Sequence, residues 1–213
     1  TAIGYVALDA NTTGDDNTAV GKDALGANTT GADNVAVGVN ALGANTTGVD
    51  SVAVGTDALK LNTASSNTAV GNNALTNNVT GVYLAAFGAG ALAQSTGDSN
   101  TAMGALAGSN ITSGDHNTYV GFASGDAHTT ADNCTGVGSF TLSENTTGTK
   151  NTAVGRGALF SNTTPANNTA IGYHAMNLNT TGANNTAIGS FAMELNTTGT
   201  RNLAIGYAAY DAS

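Results

Sequence analysis

Residues Asn17-Thr18-Ala19-Val20-Gly21-Lys22-Asp23-Ala24-Leu25-Gly26-Ala27-Asn28-Thr29-Thr30-Gly31-Ala32-Asp33 lead straight into Asn34-Val35-Ala36-Val37-Gly38, and the pattern begins again. Self-similarity at a fixed period decides an architecture before local propensity does. The Gly that follows the Val/Ile-like position serves as a marker. It recurs as Gly4, Gly21, Gly38, Gly55, Gly71, Gly88, Gly104, Gly121, Gly138, Gly155, Gly172, Gly189 and Gly206. Successive markers lie 17 residues apart, except for two steps of 16, Gly55 to Gly71 and Gly88 to Gly104. The consensus is Asn-Thr-Ala-Val/Ile-Gly-x-x-Ala-Leu-x-x-Asn-Thr-Thr-Gly-x-x. No composition shift marks a second domain, so residues 1–213 read as one repeat domain of 12–13 coils.

A 17-residue unit is too short for a helix-turn-helix repeat, which needs about 33 residues or more. Its two Gly and its Thr-rich half also disfavour helix. Val, Ile and Thr suit strands, and Asn-Gly-Thr clusters suit turns. The economical reading is an all-β solenoid, a parallel β-roll with one coil per repeat. Equivalent residues then stack as ladders about 4.8 Å apart, and twelve spacings give a rod of roughly 58 Å.

The ladders can be named. Val20, Val37 and Val54 open a Val/Ile column, and Leu25, Leu42 and Leu59 a Leu column that ends in Met176 and Met193. One Asn column holds Asn17, Asn34, Asn67, Asn151, Asn168 and Asn185; a second holds Asn11, Asn28, Asn45 and their successors. Stacked amides can hydrogen-bond from coil to coil. The marker Gly is expected where the chain bends tightly or takes a positive φ. In Thr-Ala-Val, Thr and Val share one face and Ala the other, and in Ala-Leu the two residues are expected on opposite faces. A thin two-sided roll therefore leaves one set outside. An exposed apolar stripe along a rod is usually an interface, so the rods are expected to pack together through an Ala or Leu ladder.

Composition excludes several classes. Ala, Thr, Gly and Asn number 38, 34, 29 and 27 of 213 residues, and only 9% are charged, against roughly 25% in an average domain. That argues against an ordinary enzyme, and equally against a charged, Pro-rich disordered chain. A net charge of −9 from 5 basic and 14 acidic residues leaves no cationic patch for nucleic acid. No run approaches the ~20 apolar residues of a membrane span. Cys134 is alone, so there is no internal disulfide. The absence of an initiator Met, signal peptide or tag reads as a segment of a longer chain.

Asn-Thr-Ala-Val-Gly followed by Ala-Leu and a small polar turn resembles the head repeats of trimeric autotransporter adhesins (YadA-like heads), and is similar to repeats of trimeric phage tail fibres. The closest matches are Asn34-Val35-Ala36-Val37-Gly38 and Ser51-Val52-Ala53-Val54-Gly55. The resemblance covers all thirteen markers. It implies a left-handed β-roll assembled as a homotrimer, able to continue end to end in a longer fibre. It implies an extracellular location, on a cell surface or virion, and attachment to a surface receptor or glycan rather than catalysis. The family's unit is commonly shorter, so each coil here carries a longer turn.

The search for chemistry returns little. His116, His128 and Cys134 could meet in adjacent coils and bind a metal, but scattered surface substitution is the preferred reading. Hence no metal and no cofactor are expected. Asp15, Asp16, Asp33, Asp50, Asp98, Asp115 and Asp132 recur before the Asn column and could bind Ca²⁺. The Gly-Gly-x-Gly-x-Asp signature of calcium β-rolls is missing, which favours a solvated acidic edge. The Asn-Thr-Thr motif reads as a hydrogen-bonded turn. Its Thr columns raise ice binding as an alternative function, weakened by the lack of a regular Thr-x-Thr strand. The repeat is most irregular over 82–140, where Leu106 reads as a shift of register and Gly125 and Gly136 replace Leu and Ala. Tyr83, Phe87, Tyr119, Phe122 and Phe140 bring aromatics there and are the candidate receptor contacts. The competing reading is drift with compensating repacking of the core.

Overall fold

The computed structural model describes residues 1–210. Thirteen short strands follow one another: β1 Ala2–Ile3, β2 Thr18–Val20, β3 Val35–Val37, β4 Val52–Val54, β5 Thr68–Val70, β6 Ala85–Phe87, β7 Thr101–Met103, β8 Thr118–Val120, β9 Thr135–Val137, β10 Thr152–Val154, β11 Thr169–Ile171, β12 Thr186–Ile188 and β13 Leu203–Ile205. They form a single parallel sheet whose spatial order is the chain order. The chain is therefore an all-β solenoid that advances one strand per repeat, with no helix among the described residues.

Pairing is in register, Ala19 opposite Ala36 and Val20 opposite Val37. The register survives the 16-residue steps, where Ala53 still faces Ala69. The missing residue is lost from the Asn-Thr-Thr corner. There Asn62 bonds the carbonyl of Ala64, two residues on, where Asn45 bonds that of Gly48, three residues on. The marker glycines take φ between 115° and 142°. A Cβ on Gly21 would meet the carbonyl of Gly38 at 2.5 Å. The column is glycine because the stacked backbones leave no room for anything else.

Only one wall of the coil is a sheet, which corrects the two-sided strand expectation. The opposite wall is built from turns with alternating left-handed residues, Asp23 at φ 57° and Leu25 at φ 48°, and it repeats in Asn40 and Leu42. A left-handed L-residue costs roughly 1–2 kcal/mol. The conformation persists because it is laddered. Asn40 N donates to Lys22 O at 2.9 Å in the preceding coil, and Leu42 N donates to Ala58 O at 3.0 Å in the following one. This backbone also turns Ala and Leu to the same side. Ala24 and Leu25, Ala41 and Leu42, Ala58 and Leu59 are all fully buried. The strand rule that put Ala and Leu on opposite faces fails because this segment is not extended.

The core is thin. The sheet sends in Ala19, Ala36, Ala53 and their successors, and the turn wall meets them with Ala and Leu. The remaining side is sealed by the two Asn columns, which converge on one carbonyl in each coil that carries both Asn. Asn34 and Asn45 both donate to Gly48 O, at 2.8 and 3.0 Å. Asn168 and Asn179 do the same at Gly182 O, both at 2.9 Å. The columns also bond from coil to coil. Asn34 N donates to Asn17 Oδ1 at 3.0 Å, and Asn28 Nδ2 to Asn11 Oδ1 at 2.9 Å. Asn67, Asn151 and Asn185 make the corresponding bonds to Gly81, Pro165 and Gly199. A buried amide with donor and acceptor both satisfied stabilises the corner, whereas an unpaired one would cost about 1–3 kcal/mol.

Candidate functional site

Two surfaces stand out from this scaffold. The first is the outer face of the sheet. Val/Ile-type residues point outward, not inward: Val20 is half-buried, while Val37 and Val54 are 37% and 36% exposed. The row continues through Val70, Phe87, Met103, Val120, Val137, Val154, Ile171, Ile188 and Ile205, and is apolar in every strand. No charged side chain stands in any of the thirteen strands. The Ala and Leu ladders are buried, so neither can join rods as the sequence suggested; the ladder left outside is Val/Ile. Beside it runs an outward hydroxyl row, continuous from Thr101 through Thr118, Thr135, Thr152 and Thr169 to Thr186. The Thr of the Asn-Thr-Thr corner is differently engaged. Thr29 Oγ1 donates to Thr46 O at 3.0 Å, and Thr112 Oγ1 to Thr129 O at 2.9 Å.

The second surface is the corner after the sheet. The five aromatics proposed from sequence do not form one patch. Tyr83 lies on the opposite corner, before its strand, with φ 59° and 69% exposure. Phe87 belongs to the outer sheet row. Tyr119 is fully buried and presents nothing to a receptor, which removes it as a contact. Phe122 and Phe140 do meet, edge to face, with ring centroids 5.3 Å apart. Their pair starts a run along the corner that the sequence reading missed. Tyr173 packs edge-on against Phe191 at 5.2 Å, and Phe191 against Tyr207 at 5.9 Å. Between the two groups Arg156 lies over the Tyr173 ring, 5.9 Å from its centroid. The signal was present in the repeat: Phe122, Tyr173 and Tyr207 stand one residue after their markers, and Phe140 and Phe191 two after.

Tyr119 explains the irregular coils. A Cβ on Gly125 or Gly136 would meet the Tyr119 ring at 2.5 or 3.0 Å, and one on Gly108 would lie 3.2 Å from it. Gly108 and Gly125 stand where other coils have Leu, and Gly136 where others have Ala. One large ring therefore fills the space given up by three neighbours, as the repacking alternative expects. Leu106 is not displaced in register: it occupies the outward left-handed position at φ 60°, 45% exposed, with Gly108 in the Leu column. The Tyr119 hydroxyl bonds Nδ1 of His128, whose Nε2 pairs with the Asn145 amide. His128 takes the place of the second-column Asn. Burial pushes its imidazole down to about 3, so the ring is neutral. Burial, and secondarily Cys134, holds the Tyr119 hydroxyl well above its usual range, and burial pushes the Cys134 thiol up to about 11.

Neither metal idea is assembled. Among the described residues no group of three or more His, Cys, Asp or Glu is placed to hold an ion. His128 and Cys134 are core residues, and His116 occupies a left-handed corner position at φ 58°. The acidic turns have a structural account. Asp16, Asp33 and Asp50 take φ of 54°, 59° and 57°, a conformation in which Asp and Asn are enriched. Asp115 Oδ1 accepts from Asp98 N at 2.7 Å, and Asp132 Oδ1 from Asp115 N at 2.8 Å.

No helix among the described residues is long and apolar enough to cross a membrane. Comparison with family models, with curated proteins and with solved structures returned no match.

Proposed function

We propose that the chain is a structural and adhesive segment of a surface fibre, a rigid repetitive rod that attaches to a host or surface through many weak contacts. The observation that carries the reading is the uncharged outer sheet face with its unbroken apolar row, Val or Ile except at Phe87 and Met103. An apolar stripe running the length of a rod is a surface for another chain. As the adhesin resemblance implies, the coil is left-handed and three rods pack as a homotrimer with these rows turned inward. The aromatic corners then remain on the outside, and repeated copies add their attachment energies. The same device serves a bacterial adhesin or the shaft of a phage tail fibre, both extracellular.

Light scattering after size exclusion tests the assembly. A mass near three times 20.7 kDa supports it, and Val54→Glu combined with Val137→Glu should return monomers with an unchanged circular dichroism spectrum. A wild-type chain that stays monomeric at high concentration overturns it. One observation favours a second reading, ice binding by a monomer: the outward hydroxyl row from Thr101 to Thr186 on a parallel sheet. Thermal hysteresis from a monomer would replace the fibre reading, and its absence disposes of the alternative.

A further inference from the structure

The corner holds a concave notch of about 190 Å³ lined by Phe140, Arg156, Gly157, Phe160, His174 and Asn177. It exists because Gly157 interrupts a column that carries side chains on both sides, Phe140 in the coil before and His174 in the coil after. A Cβ on Gly157 would lie 3.1 Å from the His174 ring and 3.3 Å from the Asn177 amide. Asn177 is fixed by donation to Gly157 O at 2.9 Å.

The cation at the rim is held but not neutralised. Arg156 Nη1 donates to the Tyr173 hydroxyl at 3.3 Å and to His174 Nε2 at 3.4 Å. His174 turns its other nitrogen to Glu194 Oε1, 3.8 Å away. Among the described residues Arg156 has no carboxylate partner, whereas Lys22 and Lys60 pair with Asp23 and Asp57. In a chain of net charge −9 an unpaired guanidinium stacked on an aromatic ring is selective for an anion. Its planar fork matches a carboxylate. The two phenyl walls require an apolar face on the same ligand, and the volume is below the ~300 Å³ at which drug-sized sites begin. One ring bearing a carboxylate, with hydroxyls for the Asn177 and His174 edges, meets all of these demands.

We infer that the notch at Gly157 binds the carboxylated pyranose ring of an acidic sugar, with Arg156 on the carboxylate and Phe140 and Phe160 against the ring. This rests on the adhesive reading, for which it supplies the receptor chemistry. Titrating the intact chain with glucuronate and with N-acetylneuraminate, followed by NMR, tests it and distinguishes a uronic from a sialic acid source. Saturable binding is expected for one of them, at least tenfold tighter than for glucose or acetate. Arg156→Gln should weaken it tenfold or more. Gly157→Asn should abolish it while the circular dichroism spectrum stays that of the fold, since Asn40 and Asn73 hold the same left-handed position in other coils, at φ 57° and 56°. No saturable binding of either acid, equal binding of acetate or of N-acetylphenylalanine, or binding indifferent to Gly157→Asn overturns the site. Trimers without acidic-sugar binding would sink the site alone. Monomers that still bind the acid would sink the fibre reading and leave the site standing.

Discussion

In the coil that opens at Asn34, the sheet sends Ala36 inward and the turn wall meets it with Ala41 and Leu42. In the coil that opens at Asn117, the sheet sends Tyr119 and the wall answers with Ser124 and Gly125. All six are buried, so the two coils enclose their cores equally well with different distributions of volume. The polar seal changes in parallel. Asn45 gives way to His128, bonded to Tyr119 and Asn145, and Cys134 replaces an Asn yet still reaches Gly148 O, 3.2 Å from its Sγ. Ser124 Oγ, beside the smaller glycine, bonds Thr141 Oγ1 at 2.6 Å across the coils. What the two coils share is filled volume and satisfied donors across neighbouring coils, not residue identity in each column.

The sharpest way to break the comparison is at Tyr119. Tyr119→Ala should cost about 3–5 kcal/mol in urea denaturation, because three glycines line the hole and cannot close it. Adding Gly125→Leu should recover a good part of that loss. Gly125 sits at φ 63° and Leu42 holds the same column at φ 50°, so the backbone already suits Leu. Gly125→Leu with Tyr119 in place should be worse than either. If that single variant were tolerated, the two residues would not be sharing one space.

A step down in size, Asn34→Ala in a regular coil removes the acceptor of the buried Ser51 N and one of the two donors to Gly48 O, which keeps Asn45. One buried N–H left unpaired, with a second bond lost beside it, predicts a loss of about 2 kcal/mol. Ser95→Ala, in the same seal among the irregular coils, removes only a long 3.5 Å bond from Asn100 and should cost under about 1 kcal/mol. Equal losses at the two sites would mean that the amide columns do not hold the corner.

Acid should separate the regions more gently. His128 is neutral in the fold, down at about 3 against an ordinary 6.5. The unfolded chain therefore takes up the proton first. The contribution is complete above about pH 6.5 and declines as pH falls towards 3, a loss of about 2 kcal/mol at pH 5 from this group. His128→Asn, which restores the regular residue, should flatten stability between pH 7 and pH 5. An equally steep acid slope in that variant would place the titration elsewhere.

The markers, the Asn columns and the one-coil repeat were legible because each is a periodic statement about backbone space or hydrogen bonding. The turn wall was not. Leu25 and Leu42 look like strand residues by type, and nothing in a Leu announces a left-handed φ. Only the ladder bonds to Ala41 and Ala58 hold that conformation. Tyr119 was misplaced because Gly125 and Gly136 were read as losses rather than as room, and because Gly108 was hidden behind the apparent shift of Leu106. The aromatic corner was missed for a related reason. Phe140, Tyr173 and Phe191 look like isolated departures along the chain, and become neighbours only when coils are stacked.

The two 16-residue steps carry a genetic consequence. Both remove a residue from the Asn-Thr-Thr corner, and strand pairing continues across them unaltered, Val54 opposite Val70 and Phe87 opposite Met103. Each coil takes its alignment from its immediate neighbours alone. Unequal recombination within the coding sequence can therefore insert or delete whole coils, changing the reach of the rod in steps of about 4.8 Å. A lineage can retune the length of the rod without having to evolve a new contact.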